Sequence, residues 1–327
     1  MAPIPNGTSN GTDRRRKGVY LITHPRSASN LTQKMMSQQP GVQNSGYYFI
    51  EEGLRSTFMG LQKGPLSAAS EEGRTALYAQ YQTSFEKLEA ELTDAAGKGN
   101  QVFVKEHAML LYRPDKLFKL AYPDDDLTPL TVRSNAQKDS QQRYTNPTIL
   151  PDEFLLSMQP IFQIRHPIRM FPSTVRAMSA TPLAYTTLSG SLAVKAIMTL
   201  RYTREIYDWY LAQEDAPIPK IIDADGIMES KATVRRLCED TGLDPDSVLY
   251  EWDTWEETEP MRIRLLSTVR QSRGILPGLE SKGLSMEKEL PKWREEFGED
   301  DADVLARHVR DAMPDYEYLH SRRVRCD

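Results

Sequence analysis

The sequence is poor in cysteine and contains no long apolar run. Only two cysteines occur among 327 residues, at the distant positions Cys238 and Cys326, so neither a disulfide framework nor a paired-cysteine zinc motif follows. No stretch reaches about 18 consecutive apolar residues, the length of a transmembrane helix. The polar and then basic N-terminus also lacks the apolar core of a signal peptide. These absences predict a cytoplasmic protein that does not contact a membrane.

The sequence also lacks an excess of positive charge. It has 41 lysine and arginine residues against 46 aspartate and glutamate residues, which gives a formal net charge of −5 at pH 7. General nucleic-acid binders usually have a basic bias, so we expect no nucleic-acid partner. Hydrophobic residues make up 39% and charged residues 27% of the chain, which is typical of a globular protein. We predict a disordered tail over residues 1–17 and a single α/β domain over residues 18–327.

Short apolar segments alternate with longer segments whose apolar residues recur every three or four positions. The short segments are predicted strands at residues 19–23, 101–105, 160–165 and 219–223. The longer segments are predicted helices at residues 27–39, 67–97, 167–177, 191–212, 230–240 and 300–312. This order favours a parallel sheet flanked by helices. The polar segments 122–152 and 273–291 are too long for plain connections, and we predict lids, acceptor loops or disorder there.

The turn after the first predicted strand holds one cation and two hydroxyl groups. Residues 25–30 read Pro-Arg-Ser-Ala-Ser-Asn and stand between a strand and a helix start, where backbone amides can hold a phosphate. The turn lacks the G-x-x-x-x-G-K-[ST] pattern of loops that bind ATP or GTP. We therefore interpret it as an anion-binding loop of another kind.

Polar side chains also follow two further predicted strands. Lys105 and His107 stand at the end of the second strand, Arg165 ends the third, and Ser173 follows eight residues later. In an open parallel sheet, ligands bind beyond the carboxyl ends of the strands. We therefore predict that these residues and the turn at residues 25–30 form one site.

These motifs resemble those of the sulfotransferases that use 3′-phosphoadenosine 5′-phosphosulfate (PAPS). Residues 25–29 resemble the family's 5′-phosphosulfate loop, commonly written P-[KR]-S-[GA]-[ST]. Arg165 and Ser173 resemble its 3′-phosphate motif, and residues 105–107 (Lys-Glu-His) resemble the K-x-H of its cytosolic members. The resemblance implies a P-loop NTPase-like sulfotransferase fold.

The resemblance implies transfer of a sulfuryl group from PAPS to a hydroxyl or amine of a small-molecule acceptor. The product would be 3′-phosphoadenosine 5′-phosphate (PAP), and no metal ion would be needed. Arg26 would stabilise the charge of the leaving phosphate, Lys105 would bind the transferring group, and His107 would act as general base. The donor would be bound by Arg26, Ser27, Ala28, Ser29, Asn30, Arg165 and Ser173.

The chain departs from the family pattern at two places, and alternative functions stay open. Leu31 stands where cytosolic members often have a tryptophan, and residues 281–283 (Ser-Lys-Gly) match the family's Arg-Lys-Gly clamp only in part. The same fold could serve an elimination or cyclisation through transient sulfation, or a nucleotide-binding protein without turnover. A kinase is less favoured because a Walker lysine and a metal-binding acid pair are missing. The acceptor and the oligomeric state, with a homodimer as one option, stay open.

Overall fold

A five-stranded parallel sheet lies at the centre of the computed structural model, which describes residues 16–50, 53, 57, 58, 60–135, 141–179, 188–259, 263 and 266–326. The strands are β1 (Gly18–Thr23), β2 (Val42–Ser45), β3 (Gln101–His107), β4 (Met158–Ile164) and β5 (Lys220–Asp223). Their order across the sheet is β2-β3-β1-β4-β5. Because β1 lies between β3 and β4, the polar residues that follow these three strands meet at one edge of the sheet.

Helices occupy the connections, since parallel strands require crossovers. In chain order they are α1 (Ser29–Met35), α2 (Glu71–Gly97), α3 (Ala108–Leu111), α4 (Pro114–Ala121), α5 (Asp152–Leu156), α6 (Pro167–Ser179), α7 (Leu192–Ile197), α8 (Arg201–Leu211), α9 (Ala224–Glu229), α10 (Lys231–Thr241), α11 (Ser267–Gln271), α12 (Met286–Phe297) and α13 (Glu299–Ser321). Short 3-10 helices cover Gly60–Lys63, Leu66–Ala68 and Pro245–Ser247. Within the described ranges, every helix is too short or too polar to span a bilayer.

The two faces of the sheet are covered by separate apolar clusters. Side chains alternate between the faces along each strand: Tyr20 of β1 joins one cluster with α2, α6, α8 and α13, and Leu21 joins the other with α1 and α10. In the register of β1 and β3, Leu21 stands opposite Lys105 and Thr23 opposite His107. Lys105 and His107 therefore share the face covered by α1.

Gly18 allows β1 to approach β3 in this register. A Cβ atom at position 18 would lie 2.0 Å from the carbonyl oxygen of Val102. Any other residue would therefore push the strands apart. Thr23 pairs with His107 five residues farther along the same ladder.

The four predicted strands are confirmed, with boundaries shifted by one or two residues. The sequence did not reveal β2, whose residues Val-Gln-Asn-Ser are all half-buried at the edge of the sheet. A four-residue polar edge strand has neither an apolar run nor a clear alternation, which explains the omission. This strand matters for function because the chain that follows it reaches the site.

Several predicted elements differ in extent from the observed ones. The helix predicted at residues 27–39 ends at Met35, the one predicted at residues 67–97 begins at Glu71, and the one predicted at residues 300–312 continues to Ser321. The helix predicted at residues 191–212 is interrupted and forms α7 and α8. Between them, the hydroxyl of Thr199 accepts a hydrogen bond of 3.1 Å from the amide of Arg201, the first residue of α8. The loop predicted at residues 273–291 ends where α12 begins at Met286. Acidic residues in the first turn of α12 favour a helix start there despite the proline at position 291.

The segment at residues 122–152 has little regular structure, as predicted, but it is held to the domain. The amide of Ile149 donates a hydrogen bond of 2.9 Å to the carbonyl of Leu111, and the indole of Trp209 donates one of 2.9 Å to the hydroxyl of Thr145. Residues 136–140 of this segment lie outside the described residues, and so do residues 1–15 of the predicted tail. The amide of Lys17 donates a hydrogen bond of 3.0 Å to the carbonyl of Ser157. The boundary of the tail and the single domain stay predictions.

Candidate active site

The turn between β1 and α1 has an unusual backbone. Arg26 and Ala28 have φ angles of 65° and 66°, a left-handed conformation that costs about 1–2 kcal/mol per residue for side chains other than glycine. The amide of Ser27 closes the turn with a hydrogen bond of 3.2 Å to the carbonyl of His24. Backbone strain of this kind concentrates at ligand sites. The predicted anion-binding loop is therefore a tight and locally strained structure.

Residues at the carboxyl end of β4 hold this loop in place. Gln163 donates a side-chain hydrogen bond of 2.7 Å to the carbonyl of Ser27, and Arg165 donates one of 3.1 Å to the carbonyl of Arg26. The Nε of Arg26 in turn donates to the Oγ of Ser173 at 3.0 Å. The structure thus brings Arg26, Arg165 and Ser173 together, as the sequence predicts.

Several buried polar atoms around the loop have no partner in the described part of the structure: Ser27 Oγ, Gln163 Oε1, Arg165 Nε and Ser281 Oγ. An unpaired buried polar group costs about 1–3 kcal/mol. Ser27 and Arg165 can donate to an anion, as can the hydroxyl of Ser281. Burial also lowers the pKa of Arg165 and Arg26 from the usual arginine value. The cluster has the donors and the charge to bind a phosphate.

The chain at residues 278–281 is fastened to this cluster. Arg165 donates a hydrogen bond of 2.6 Å to the carbonyl of Leu279, and Arg169 donates bonds of 3.0 and 3.1 Å to the carbonyls of residues 278 and 280. The carboxylate of Asp225 accepts the amide of Ser281 at 2.8 and 3.0 Å. Ser281 is buried, whereas Lys282 is exposed. Only the first residue of the partial clamp motif therefore packs against the site.

Lys105 and His107 lie on the other side of the loop, against α1. The Nζ of Lys105 donates to the side-chain oxygen of Asn30, and its ammonium stands 4.6 Å from the ring centre of Tyr47. His107 contacts Thr23 through Nδ1 at 2.7 Å and Tyr47 through Nε2 at 3.0 Å. The predicted base and cations are thus placed around one turn.

The surroundings of His107 keep it neutral. Burial, followed by the nearby charges of Lys105, His24 and Arg26, lowers its pKa well below 6.5. A neutral imidazole at neutral pH has a lone pair with which to accept a proton. The geometry and the protonation state therefore both suit a general base.

Two residues of the site were not singled out from the sequence. Glu106 lies on the opposite face of β3 and accepts the amides of Tyr48 and Phe49, the latter at 3.0 Å. Its burial raises the pKa of the carboxyl to about 8. Tyr47 stands between Lys105 and His107. The contacts of both residues depend on the chain that follows β2, and this polar edge strand has no local signal that could have indicated them.

The remaining predicted residues have mixed surroundings. Ser29 is buried at the start of α1, and its hydroxyl interacts with the phenol of Tyr47. The methyl group of Ala28 packs against the apolar cluster under α1, so a ligand contact at this position would come from its backbone. The ring nitrogens of His24, at the start of the turn, lie 2.7 and 2.8 Å from the carbonyls of Ile197 and Pro25. Among the described residues, no group of three or more acidic, histidine or cysteine side chains could hold a metal ion.

The chain is similar in sequence to two sulfotransferases. No family model matches the chain. A sulfotransferase of Metarhizium majus (strain ARSEF 297), ppzF, is 33% identical over 331 residues, which cover 94% of this chain and 97% of the relative. The ppzF sulfotransferase of Metarhizium rileyi (strain RCEF 4871) is 32% identical over 336 residues, with 94% and 96% covered.

A solved structure, the sulfotransferase domain of the Synechococcus PCC 7002 olefin synthase, matches with a TM-score of 0.43 and 16% identity. The match covers 92% of this chain and 98% of that domain, but the family assignment does not depend on it. It depends on two full-length relatives at 32% and 33% identity that are both sulfotransferases. The chain therefore belongs to the sulfotransferase family.

Proposed function

We propose that the protein transfers a sulfuryl group from PAPS to a hydroxyl or amine of a small-molecule acceptor. The observation that carries this proposal is the arrangement of two groups of side chains around the strained turn of residues 24–28. On one side, Arg26, Arg165 and Ser173 form a site suited to bind phosphate. On the other side, Lys105 and the neutral His107 form a site suited to the transfer of the sulfuryl group.

The buried cluster fits the two phosphates of the donor. The Nε of Arg165 and the Oγ of Ser27 are buried and have no partner in the described part of the chain, and phosphate oxygens would satisfy both. In the proposed complex, Arg165 and Ser173 hold the 3′-phosphate, which distinguishes PAPS from ATP. Residues 26–30 hold the 5′-phosphosulfate.

The proposed reaction is an in-line displacement at sulfur. The oxygen or nitrogen of the acceptor forms a bond to sulfur while the bond from sulfur to the phosphate oxygen of PAPS breaks. Arg26 stabilises the negative charge that develops on the leaving phosphate, and Lys105 binds the transferring sulfuryl oxygens. His107 takes the proton that the acceptor loses.

The first experiment measures donor binding by the thermal shift of the purified protein. We expect PAP to raise the melting temperature more than AMP does, because AMP lacks the 3′-phosphate. ATP with magnesium should have a smaller effect than PAP. A shift with ATP and magnesium but none with PAP would contradict the proposal.

The second experiment identifies the acceptor. Incubation of a metabolite mixture with the protein and PAPS should give products that have gained one sulfuryl group, detected by mass spectrometry. The control variant His107→Ala should form these products much more slowly than the wild type. PAP binding without any product would favour a nucleotide-binding protein without turnover, and loss of water instead of a mass gain would favour elimination through transient sulfation. The cytoplasmic location and the homodimer stay predictions.

A further inference from the structure

Both ring nitrogens of His107 are engaged by neighbouring hydroxyl groups. Nδ1 lies 2.7 Å from the Oγ1 of Thr23, and Nε2 lies 3.0 Å from the hydroxyl of Tyr47. The rings of Tyr47 and His107 are 4.8 Å apart between centres. A general base takes a proton through a lone pair. The group that contacts the lone pair of His107 therefore decides how the acceptor's proton can reach the imidazole.

The hydrogen-bond network assigns the tautomer of His107. The hydroxyl of Thr23 has one hydrogen, and it donates this hydrogen to the carbonyl of Glu106 at 3.1 Å, because a carbonyl can only accept. Nδ1 must then carry a hydrogen and donate it to Thr23. Nε2 therefore has the lone pair, and it accepts a hydrogen bond from Tyr47.

Tyr47 is held in this position from several sides. Its ring stands on the ammonium of Lys105 at 4.6 Å, a cation–π contact. The amides of the next two residues, Tyr48 and Phe49, donate to the buried carboxyl group of Glu106. These amide bonds hold the backbone next to Tyr47, and its side chain would have to lose the cation–π contact to leave Nε2, so we expect Tyr47 to stay in place during the reaction.

We propose that Tyr47 is a further catalytic residue, which contacts the acceptor and passes the acceptor's proton to His107. This inference rests on the proposed sulfuryl transfer. As the acceptor attacks sulfur, its proton moves to the oxygen of Tyr47, while the hydrogen of Tyr47 moves to Nε2 of His107. Tyr47 ends neutral, His107 ends as the imidazolium, and PAP leaves with the electron pair of the broken bond.

The surroundings of Tyr47 agree with a relay in which the phenol stays neutral. Burial, followed by the charge of Glu106, raises the pKa of Tyr47 above the usual tyrosine value. A free phenolate is therefore disfavoured, whereas a concerted shift of two protons creates none. Ser29 of the anion-binding loop also interacts with the phenol, which places the oxygen of Tyr47 beside the proposed site of the 5′-phosphosulfate.

The test compares two tyrosine-to-phenylalanine variants in PAPS cleavage, with water as the acceptor and release of PAP as the signal. Tyr47→Phe keeps the ring on Lys105 and removes only the hydroxyl, so we expect kcat to fall about 100-fold with little change in the KM for PAPS. The matched control is Tyr48→Phe, because the hydroxyl of Tyr48 bonds to Ser45 at 2.6 Å and not to His107. We expect the control to stay within about twofold of the wild type.

A solvent isotope measurement separates a relay from a structural role. The rate is measured in mixtures of H₂O and D₂O. If two protons move in the wild type, a plot of its rate against the deuterium fraction of the solvent should be curved, whereas the plot for Tyr47→Phe should be a straight line. A Tyr47→Phe variant with wild-type kcat, or a faster one, would overturn the relay. The proposed function would survive that result if PAP still bound and His107→Ala still lost turnover.

A second measurement applies even where PAPS cleavage by water is too slow to follow. The ¹⁵N chemical shifts of His107 report which ring nitrogen carries hydrogen and what it contacts. We expect Nδ1 to be protonated in the wild type, and the Nε2 signal to move in Tyr47→Phe but not in Tyr48→Phe. An unchanged Nε2 signal in Tyr47→Phe would overturn the proposal without reference to the donor.

Discussion

The Nε of Arg26 donates a hydrogen bond of 3.0 Å to the Oγ of Ser173, across 147 residues of chain. Arg26 follows β1, and Ser173 lies in α6, the helix that follows β4. These residues belong to two motifs that we assign to the two ends of one donor. Their contact joins the motifs into one site.

Arg26→Ala should lower the kcat of sulfuryl transfer about 100-fold to 1,000-fold, the typical effect of removing one donor to a developing negative charge. The stability of the fold should change little, because alanine and arginine have the same preference against the left-handed backbone at this position. Steady-state kinetics with PAPS measure the effect. The control is Arg176→Ala, which removes an exposed guanidinium paired with Glu296. An equal loss in both variants would contradict the role of Arg26.

Arg165→Ala should reduce the preference for PAP over AMP, since only PAP has the 3′-phosphate. We expect about a tenfold loss or more in PAP affinity, and a smaller loss for AMP, because a charge-assisted hydrogen bond contributes about 1.5–3 kcal/mol. Isothermal titration calorimetry measures both. Arg169→Ala is the matched control, since Arg169 also donates to the chain at residues 278–280. If Arg165 only held that segment, both variants would lose PAP and AMP affinity alike.

Glu106→Gln should change the pH dependence of stability. The pKa of Glu106 is raised from 4.5 to about 8 by burial, so between these pH values the folded protein retains a proton that the unfolded chain has lost. The wild type therefore loses stability as pH rises through this window. The neutral glutamine avoids this loss, and the melting temperature of the variant relative to the wild type should rise from pH 5 to pH 8 and then level off. If the difference in melting temperature between the variant and the wild type did not change with pH, the raised pKa of Glu106 would be contradicted.

The rate of PAPS cleavage should depend on a base with a low pKa. Burial and the charge of Lys105 lower the pKa of His107 well below 6.5, so kcat/KM should be flat at neutral pH and fall only in the more acidic range. Lys105→Met removes one cause of the shift and should move the pKa of His107 upward, measured by NMR titration. If the NMR titration of His107 in the wild type had its midpoint at pH 6.5 or above, the imidazole would not be in the buried, positively charged environment described above.

Ala28→Gly should stabilise the protein by about 0.5–1 kcal/mol. The left-handed conformation of Ala28, with φ of 66°, costs about 1–2 kcal/mol for alanine, and glycine avoids this cost while losing about 0.5–1 kcal/mol in chain entropy. Ala90→Gly, at an exposed position inside α2, should have the opposite effect and destabilise by about 1 kcal/mol. Urea unfolding measures the free energy of unfolding of both variants, which should rise in Ala28→Gly and fall in Ala90→Gly. Destabilisation by Ala28→Gly would contradict the strain assigned to the turn.

The sequence by itself determined the elements that have a local signal. The apolar runs of β1, β3, β4 and β5 and the polar turn at residues 25–30 are visible because strand burial and turn chemistry are encoded in neighbouring residues. The motif resemblance named the family that the full-length relatives confirm. The polar edge strand β2 has no such signal, and the interruption between α7 and α8 was hidden by apolar residues on both sides.

Only the tertiary structure decided which side chains meet. The order β2-β3-β1-β4-β5 places Arg165 at the carbonyl of Arg26 and the chain after β2 over the end of β3. Tyr47 reaches His107 by this order alone, 60 residues away along the chain. Hydrogen bonds between distant strands depend on the order of the strands in the sheet, and no local pattern encodes that order. The motifs of the proposed donor site could therefore be predicted from the sequence, whereas the contact of the Tyr47 hydroxyl with Nε2 of His107 could not.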